Sequence, residues 1–111
     1  MADKASNLRI FEDKNGKMNI SLLDIISSAD GKLSETGVLA VSQFTLLADA
    51  SKGRRPFYGD AADPGKALKL YEYFMAKIRE KGLLCEAGVF QTHMDVSYIN
   101  DGPVTIILES P

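Results

Sequence analysis

The chain has 111 residues, of which 45% are hydrophobic, so its size suits one hydrophobic core and one domain. A formal charge of -2 gives no overall attraction to nucleic acid or to an anionic membrane, so a polyanion requires a local basic patch. A single cysteine and a single histidine exclude an internal disulfide and a structural zinc site, and no apolar run approaches the roughly 20 residues that span a bilayer.

The N-terminal part of the chain gives weak structural signals. Its first residues are charged before any apolar run, which excludes a signal peptide and predicts a soluble cytoplasmic protein. Residues 2–8 are predicted to form a short helix, and residues 12–16 a polar turn whose Asn-Gly pair favours left-handed backbone angles. Residues 18–26 carry a mixed apolar pattern that predicts no single element. Residues 27–37 are polar with two glycines and predict an exposed loop.

The middle of the chain predicts a strand and a long helix. Residues 38–47 begin apolar on both faces, which is typical of a central strand covered on two sides. A long loop follows over residues 48–62. Asp63 before Pro64 then predicts a helix N-terminus, with an acidic N-cap and proline at the first helical position. Apolar residues recur at helical spacing until a Lys-Gly pair at residues 81–82 ends the helix.

Three further strands are predicted after the helix, at residues 83–90, 94–99 and 104–109. The tight reversal at residues 100–103 predicts that the last two are antiparallel neighbours. The order of elements therefore predicts an α+β domain, with a mainly antiparallel sheet or open barrel backed by one long helix.

Residues 42–46, Ser-Gln-Phe-Thr-Leu, place polar groups at the end of the first predicted strand. Ser42 and Thr45 are candidate nucleophiles, but a hydroxyl nucleophile needs an adjacent base, and the sequence does not place His93, expected at the surface, beside either of them. Strand-end hydroxyls also form local hydrogen bonds. A third use is through the main chain, because exposed N–H groups bind a carbonyl oxygen or a developing oxyanion. The residues alone leave these uses open.

Three other groups have both a structural and a functional interpretation. The Gly-Pro pair at residues 102–103 is either a hairpin turn or a rigid main-chain wall whose carbonyl binds an amino group. Lys-Gly-Arg-Arg at residues 52–55 is either a solvated loop or a contact to phosphates. Phe90 and Met94 are either core residues or the apolar lining of a pocket. Cys85 lies in an apolar stretch and is expected to be an inert core residue.

Taken together, these motifs closely resemble the D-aminoacyl-tRNA deacylase family. The Ser-Gln-x-x-Leu signature of that family is matched at residues 42–46, and its Asn-x-Gly-Pro-x-Thr signature at residues 100–105. Supporting matches are Asn-Leu-Arg-Ile-Phe-Glu-Asp at residues 7–13, Gly-Lys-Met-Asn at residues 16–19 and Lys-Gly-Arg-Arg-Pro at residues 52–56. The resemblance covers essentially the whole chain, with both signatures in the order that the family has.

The resemblance implies an enzyme that hydrolyses the ester of D-aminoacyl-tRNA, or of glycine on a non-cognate tRNA, as proofreading in translation quality control. The implied partners are the aminoacylated 3′ end of tRNA and a second copy of the chain, with a composite active site at the homodimer interface. No cofactor, metal ion, membrane or DNA is expected. The Gly-Pro turn, cis by analogy, is expected to enter the pocket of the other subunit, hold the amino group and exclude an L side chain. Two mechanisms stay open, attack by Thr45 and attack by water assisted by the ribose 2′-hydroxyl; the absence of a recognisable base favours the second.

The resemblance also implies roles for individual residues. The expected catalytic residues are Ser42, Gln43, Phe44 and Thr45. The expected substrate-binding residues are Ala67, Phe90, Met94, Asn100, Gly102, Pro103 and Thr105. The expected contacts to tRNA phosphates are Lys52, Arg54 and Arg55. Backbone amides near Phe44 and Thr45 are expected to hold the scissile carbonyl, and Phe90, Met94 and Ala67 to line the pocket of the terminal adenosine.

The chain departs from the family pattern in three places. Gln-Thr at residues 91–92 replaces the commoner Gly-Ala, a change expected to alter the pocket shape, and the loop at residues 26–37 is longer than usual. Residues 1–6 correspond to the tail of a helix that normally follows a pair of antiparallel strands. The resemblance therefore implies a truncated form with an exposed sheet edge and apolar surface, lacking an arginine that supports the Gly-Pro turn. The alternative to an active enzyme is an inactive tRNA-binding or dimerisation module.

Overall fold

The architecture is that of a computed structural model, which describes residues 1–28 and 36–111. The elements in these residues are α1 (Ala2–Asn7), β1 (Phe11–Glu12), β2 (Met18–Ile20), α2 (Leu22–Ser27), β3 (Gly37–Ala40), a 3₁₀ helix (Phe44–Leu47), α3 (Pro64–Glu80) and β4 (Leu84–Ala87). This mixture of helices and strands confirms the α+β class, and α1 confirms the predicted N-terminal helix. Most of the predicted loop at residues 27–37 lies outside the described residues.

Local sequence chemistry sets both ends of α3. The Asp63 carboxylate accepts a hydrogen bond from the Lys66 amide at 3.1 Å, and Pro64 is the first helical residue. The chain turns away at Gly82, whose φ of +82° suits glycine. The predicted long helix is confirmed over 17 residues. Neither α3 nor any other helix in the described part of the chain has the length and apolar character needed to cross a membrane.

The core lies between α1, α3 and the strand that follows α3. Ile78 is fully buried at its centre, and Cys85 of β4 is buried beside it, as expected from the sequence. Arg79 donates two hydrogen bonds to the Cys85 carbonyl, at 2.8 and 3.3 Å. Lys81 forms an ion pair with Asp3 at 2.7 Å, and this hydrogen bond and charge hold the pKa of Asp3 below its usual value. These contacts join the C-terminal end of α3 to both β4 and α1.

Strands β3 and β4 pair in parallel, with Gly37 opposite Leu84 and Ala40 opposite Ala87. The prediction of a mainly antiparallel sheet is therefore corrected, since the antiparallel strand ladder found among the described residues is the short β1–β2 pair. The physical reason is the connection: α3 returns the chain to the starting end of β3, and a helical crossover of this kind joins parallel strands. Leu39 of β3 is 60% exposed, so β3 is not covered on both faces.

The predicted strand over residues 38–47 is confirmed for its first three residues and is wrong for the rest. β3 ends at Ala40, and the pairing continues for one further hydrogen bond, from the Gly88 amide to the Ala40 carbonyl at 3.0 Å. Beyond this bond the described residues offer β3 no ladder partner, and the chain leaves the sheet and forms the 3₁₀ helix. β4 likewise ends at Ala87 and is shorter than predicted.

Residues 93–111, here called the C-terminal arm, form no helix or strand. The predicted strands at residues 94–99 and 104–109, and their antiparallel pairing, are therefore corrected, and the described residues do not close a barrel. A strand persists through hydrogen bonds to a neighbour, and the described part of the chain gives the arm no ladder partner. Apolar arm residues stay exposed, 92% for Ile99 and 84% for Ile107. The radius of gyration is accordingly 16.2 Å, against about 13 Å for a compact domain of this length.

Candidate active site

An open cleft of about 920 Å³ lies beyond the ends of β3 and β4. Its walls are the segment that follows β3, the segment that follows β4 and the first turns of α3. Because parallel strands end at the same edge of a sheet, the two segments that leave them are neighbours. The topology therefore brings together parts of the sequence that are about 50 residues apart.

The cleft collects part of the set of site residues predicted from the sequence. Those that line it are Ser42, Gln43, Phe44, Ala67, Phe90 and Met94. Those that lie outside its lining are Thr45, Lys52, Arg54, Arg55, Asn100, Gly102, Pro103 and Thr105. The Ser-Gln motif and the expected adenosine-binding residues thus meet within one chain, whereas the Gly-Pro motif is located elsewhere.

Met94 forms part of the cleft wall by packing against Gly88. The Val89 amide donates a hydrogen bond to Met94 Sδ at 3.3 Å, and the Thr92 hydroxyl donates to the Val89 carbonyl at 2.8 Å. A Cβ on Gly88 would lie 2.8 Å from Met94 Sδ, so glycine is what allows this close approach. Gln91 in the same turn has a φ of +57°, the left-handed region that favours glycine. Gln91, which stands where the resembling family more commonly has glycine, therefore has a backbone conformation that suits glycine.

Two backbone amides in the segment after β3 have no hydrogen-bond partner among the described residues. Gln43 is the N-cap of the 3₁₀ helix and its side chain makes no capping hydrogen bond. The first amides of a helix lack an intrahelical acceptor. In residues 1–28 and 36–111 no acceptor bonds the amides of Phe44 and Thr45. These N–H groups are available to a carbonyl oxygen that acquires negative charge.

The hydroxyl of Thr45 has no hydrogen-bonded base among the residues that the structure describes. His93 lines the cleft, but its side chain is 94% exposed and its nearest ionic neighbour is the Asp95 carboxylate at 3.8 Å. Its predicted surface position is confirmed. The described lining of the cleft includes no carboxylate, and no group of three or more His, Cys, Asp or Glu in the described part of the chain is placed to hold a metal ion.

Tyr71 of α3 connects the two walls of the cleft, and the sequence interpretation did not select it. Its hydroxyl donates to the Ala40 carbonyl at 2.6 Å and lies 3.4 Å from the Gly88 carbonyl. Its ring stacks with Phe90, with centroids 6.1 Å apart and an interplanar angle of 27°. In the sequence, helical spacing accounts for Tyr71 fully as an apolar core residue, so no motif signals the role of its hydroxyl.

The Gly-Pro motif lies in the C-terminal arm. The Gly102–Pro103 peptide bond is cis, as expected by analogy. Both residues are exposed, and so are Asn100 and Thr105 on either side. Within this chain the turn therefore lies outside the cleft.

The basic residues lie on a closed loop, residues 49–57, here called the basic hairpin. Asp49 and Phe57 exchange two backbone hydrogen bonds, at 2.8 and 2.9 Å. Hydrogen bonds from Ser51 hold the pKa of Asp49 below its usual value. The three exposed basic side chains of the hairpin are those of Lys52, Arg54 and Arg55. Tyr58, next to the hairpin, contacts Phe44 edge-on with ring centroids 5.0 Å apart, so the hairpin adjoins the rim of the cleft.

The chain is similar over nearly its whole length to known proteins. The sequence model of the D-Tyr-tRNA(Tyr) deacylase family matches residues 1–109. A D-aminoacyl-tRNA deacylase of Koribacter versatilis (strain Ellin345) is 54% identical over 110 residues, which cover 99% of this chain and 68% of that protein. A D-aminoacyl-tRNA deacylase of Geotalea uraniireducens (strain Rf4) is 56% identical over 111 residues, 100% of this chain and 66% of that protein. Among solved structures, the c-Myc DNA Unwinding Element Binding Protein matches with a TM-score of 0.79 at 37% identity, over 99% of this chain and 69% of that one. The chain thus spans about two thirds of the length of each of these relatives.

Proposed function

Because the chain belongs to the D-Tyr-tRNA(Tyr) deacylase family, we propose that it hydrolyses D-aminoacyl-tRNA as proofreading in translation. The bond that breaks is the ester between the aminoacyl carbonyl and the ribose of the terminal adenosine, and the products are a D-amino acid and free tRNA. Glycyl-tRNA is the second proposed substrate, since glycine has no L side chain. The observation that carries this function is the cleft beyond β3 and β4, which gathers the Ser-Gln motif with Phe90 and Met94 in a chain 54% identical to a deacylase.

The apolar wall of the cleft suits the terminal adenosine. Phe90, Met94 and Ala67 line it, and the Phe90 ring is oriented by stacking on Tyr71. Aromatic and thioether side chains bind a nucleobase through stacking and van der Waals contact. Since the described lining includes no carboxylate, a nucleotide phosphate entering the cleft meets no like charge there.

The scissile carbonyl is proposed to bind the backbone amides of Phe44 and Thr45, beside Ser42 and Gln43. Water attacks the carbonyl carbon, and the amides stabilise the negative charge that forms on the carbonyl oxygen. The carbon–oxygen bond to the ribose then breaks, and the ribose oxygen takes up the proton that the attacking water loses, with the neighbouring 2′-hydroxyl assisting the transfer. Attack by water is favoured over attack by Thr45 because the described residues give its hydroxyl no hydrogen-bonded base.

Selection of the D configuration is proposed to come from the Gly-Pro turn of a second copy of the chain. Gly102 and Pro103 are exposed and outside the cleft of their own protomer, which supports insertion into the cleft of another. Main-chain carbonyls of the turn, flanked by Asn100 and Thr105, would bind the amino group and leave no space for an L side chain. Under this arrangement the rate per protomer falls when dilution separates the copies. A constant rate per protomer in a sample shown to be monomeric would reject the composite site.

The basic hairpin is proposed to contact tRNA phosphates beside the cleft. Its three basic side chains are exposed, and the contact between Phe44 and Tyr58 joins the hairpin to the cleft rim. The chain as a whole carries a charge of -2, so this local cluster would supply the attraction to the phosphate backbone.

The experiment that tests the function compares D-tyrosyl-tRNA, L-tyrosyl-tRNA and glycyl-tRNA as substrates, with release of the amino acid measured against an enzyme-free control. Rapid release of D-tyrosine and glycine, with L-tyrosine at the background rate, is expected. Equal rates on the two tyrosyl esters would refute the stereochemical selection. Binding of tRNA with no hydrolysis of any ester would identify the alternative, an inactive tRNA-binding module, which is favoured by the lack of a ladder partner for the C-terminal arm among the described residues.

A further inference from the structure

The Tyr71 hydroxyl contacts the last residue of β3 and the first residue after β4. β3 ends at Ala40, and the Gly88 amide extends the pairing by one hydrogen bond, donated to the Ala40 carbonyl at 3.0 Å. The Tyr71 hydroxyl donates to that same carbonyl at 2.6 Å and lies 3.4 Å from the Gly88 carbonyl. One side chain of α3 therefore fixes the point at which the two cleft walls diverge.

The ring of Tyr71 also holds the wall that follows β4. It stacks with Phe90 at a centroid distance of 6.1 Å, and both side chains line the cleft. Tyr71 is itself held by the packing of α3, where Ile78, seven residues further along, has no exposed surface. Helix α3 thus anchors both walls of the cleft to the core.

We propose that Tyr71 is a positioning residue for deacylation, an inference that rests on the proposed function. Its hydroxyl places the Ala40 carbonyl, and thereby the amides of Phe44 and Thr45 that bind the scissile carbonyl. Its ring places Phe90 against the adenosine. Misplacement of a reacting group by about 1 Å lowers a rate by as much as about 100-fold. Because the hydroxyl positions the amides that bind the scissile carbonyl, its loss should lower kcat. Because the ring positions Phe90 against the adenosine, its loss should raise KM.

The test is a pair of substitutions at this position. Tyr71→Phe removes the hydroxyl and keeps the ring, and the Ala40 carbonyl keeps its bond from the Gly88 amide, so no buried acceptor is left unpaired. We expect kcat for D-tyrosyl-tRNA to fall about tenfold with KM within about twofold of the wild-type value. Tyr71→Leu removes the ring as well, and we expect KM to rise in addition. The matched control is Tyr73→Phe on the same helix, 62% exposed and outside the cleft, which is expected to leave both constants unchanged.

Two kinetic results would overturn the inference: a kcat for Tyr71→Phe within twofold of wild type, or a rise in KM alone. If the wild-type chain hydrolyses none of the esters, the proposed function fails, and the positioning role is then decided by amide NMR spectra. Tyr71→Phe must shift the amide signals of Phe44 and Thr45, and Tyr73→Phe must not; unchanged signals in Tyr71→Phe refute the role. Should Tyr71→Phe not fold, Phe90→Leu tests the same division of roles: KM must rise more than kcat falls, and the opposite pattern refutes it.

Discussion

Replacing Gly88 by alanine should change the shape of the cleft and leave the stability of the fold nearly unchanged. The added Cβ would lie 2.8 Å from Met94 Sδ, 3.3 Å from Met94 Cε and 3.5 Å from Val41 Cγ1. The first distance is far below a normal carbon–sulfur contact, so the thioether must leave its place. The atoms that block the Cβ belong to the flexible end of methionine, and the main chain can stay where it is. The change should therefore displace a cleft wall without breaking the ladder.

The expected change in the free energy of unfolding is small, because two effects oppose one another. Alanine restricts the unfolded chain, which stabilises by about 0.4–1 kcal/mol where the backbone tolerates it, and Gly88 has no left-handed φ. Moving Met94 out of a favourable rotamer costs about 0.5–1.5 kcal/mol. The net effect is within about 1 kcal/mol of zero. A cleft wall altered by one methyl group, by contrast, weakens binding by about 1–3 kcal/mol, which corresponds to a KM about 5- to 150-fold higher.

Gly37→Ala is the matched control at the other end of the same ladder. Its Cβ would lie 2.9 Å from the Leu84 carbonyl oxygen and 3.0 Å from Leu84 Cβ, so main-chain atoms of the partner strand must move. We expect a loss of about 1–3 kcal/mol in the free energy of unfolding. Urea unfolding followed by circular dichroism measures stability, and initial rates with D-tyrosyl-tRNA measure KM. The reasoning fails if Gly88→Ala is destabilised as much as Gly37→Ala, or if it keeps the wild-type KM.

Four other variants test the core, the mechanism and the electrostatics. Ile78→Ala should lower the free energy of unfolding by about 2–5 kcal/mol in urea; a smaller loss contradicts its central place in the core. Thr45→Ala should retain most of kcat, whereas a loss beyond about 100-fold would support Thr45 as the nucleophile. Replacing the three basic side chains of the basic hairpin by glutamine should weaken tRNA binding and reduce the slope of log K against log salt by about two, and an unchanged slope excludes phosphate contacts there. Lys81→Met should lower Tm at pH values above 3.8, the unperturbed pKa of Asp3. The loss of Tm should become smaller as the pH falls through the lower pKa that Asp3 has in the folded protein, because protonated Asp3 no longer attracts Lys81. A loss of Tm that persists in strong acid contradicts the ion pair.

The elements that the sequence predicts well are those set by neighbouring residues. α3 is specified by Asp63 and Pro64 at its start and by Lys-Gly at its end, all within one turn of the atoms that they cap. A similar local signal marks α2, where the Ser21 hydroxyl accepts from the Asp24 amide at 3.1 Å and the Asp24 carboxylate accepts from the Ser21 amide at 2.9 Å. A capping box can be recognised from sequence, but the mixed apolar pattern of residues 18–26 did not indicate a helix there.

Strand pairing depends on partners that are remote in sequence, which is why it was predicted less well. The order strand, helix, strand is itself typical of a parallel pair, but the Gly-Pro turn that follows directed the prediction towards antiparallel neighbours. The apolar alternation of residues 94–109 is a real strand pattern without a ladder partner in the described part of the chain. Alternation indicates which conformation a segment favours; it does not supply the hydrogen bonds that hold it.

The site was predictable where it follows motifs and not where it follows packing. The Ser-Gln motif and Phe90 with Met94 were selected from the sequence and meet in the cleft. Tyr71 was not selected, because a tyrosine at helical spacing gives the same sequence pattern whether or not its hydroxyl forms a hydrogen bond to the end of a strand. The distinction depends on the 2.6 Å contact to Ala40, a residue 31 positions away, which no local pattern encodes.

Under the proposed composite site, burial of the exposed apolar residues of the C-terminal arm would help to order the Gly-Pro turn that completes the cleft. Fixing the six residues of the Gly-Pro motif, residues 100–105, costs about 1–2 kcal/mol for each backbone unit. Burying Tyr98, Ile99 and Ile107, now 74%, 92% and 84% exposed, would contribute about 1.5–3 kcal/mol each. The cost totals about 6–12 kcal/mol and the gain about 4.5–9 kcal/mol, so covering these apolar residues with a second copy would offset much of the cost of ordering the turn. Selectivity for the D configuration would then depend on the same contacts as association, and a substitution that prevents burial of Ile99 should reduce both together.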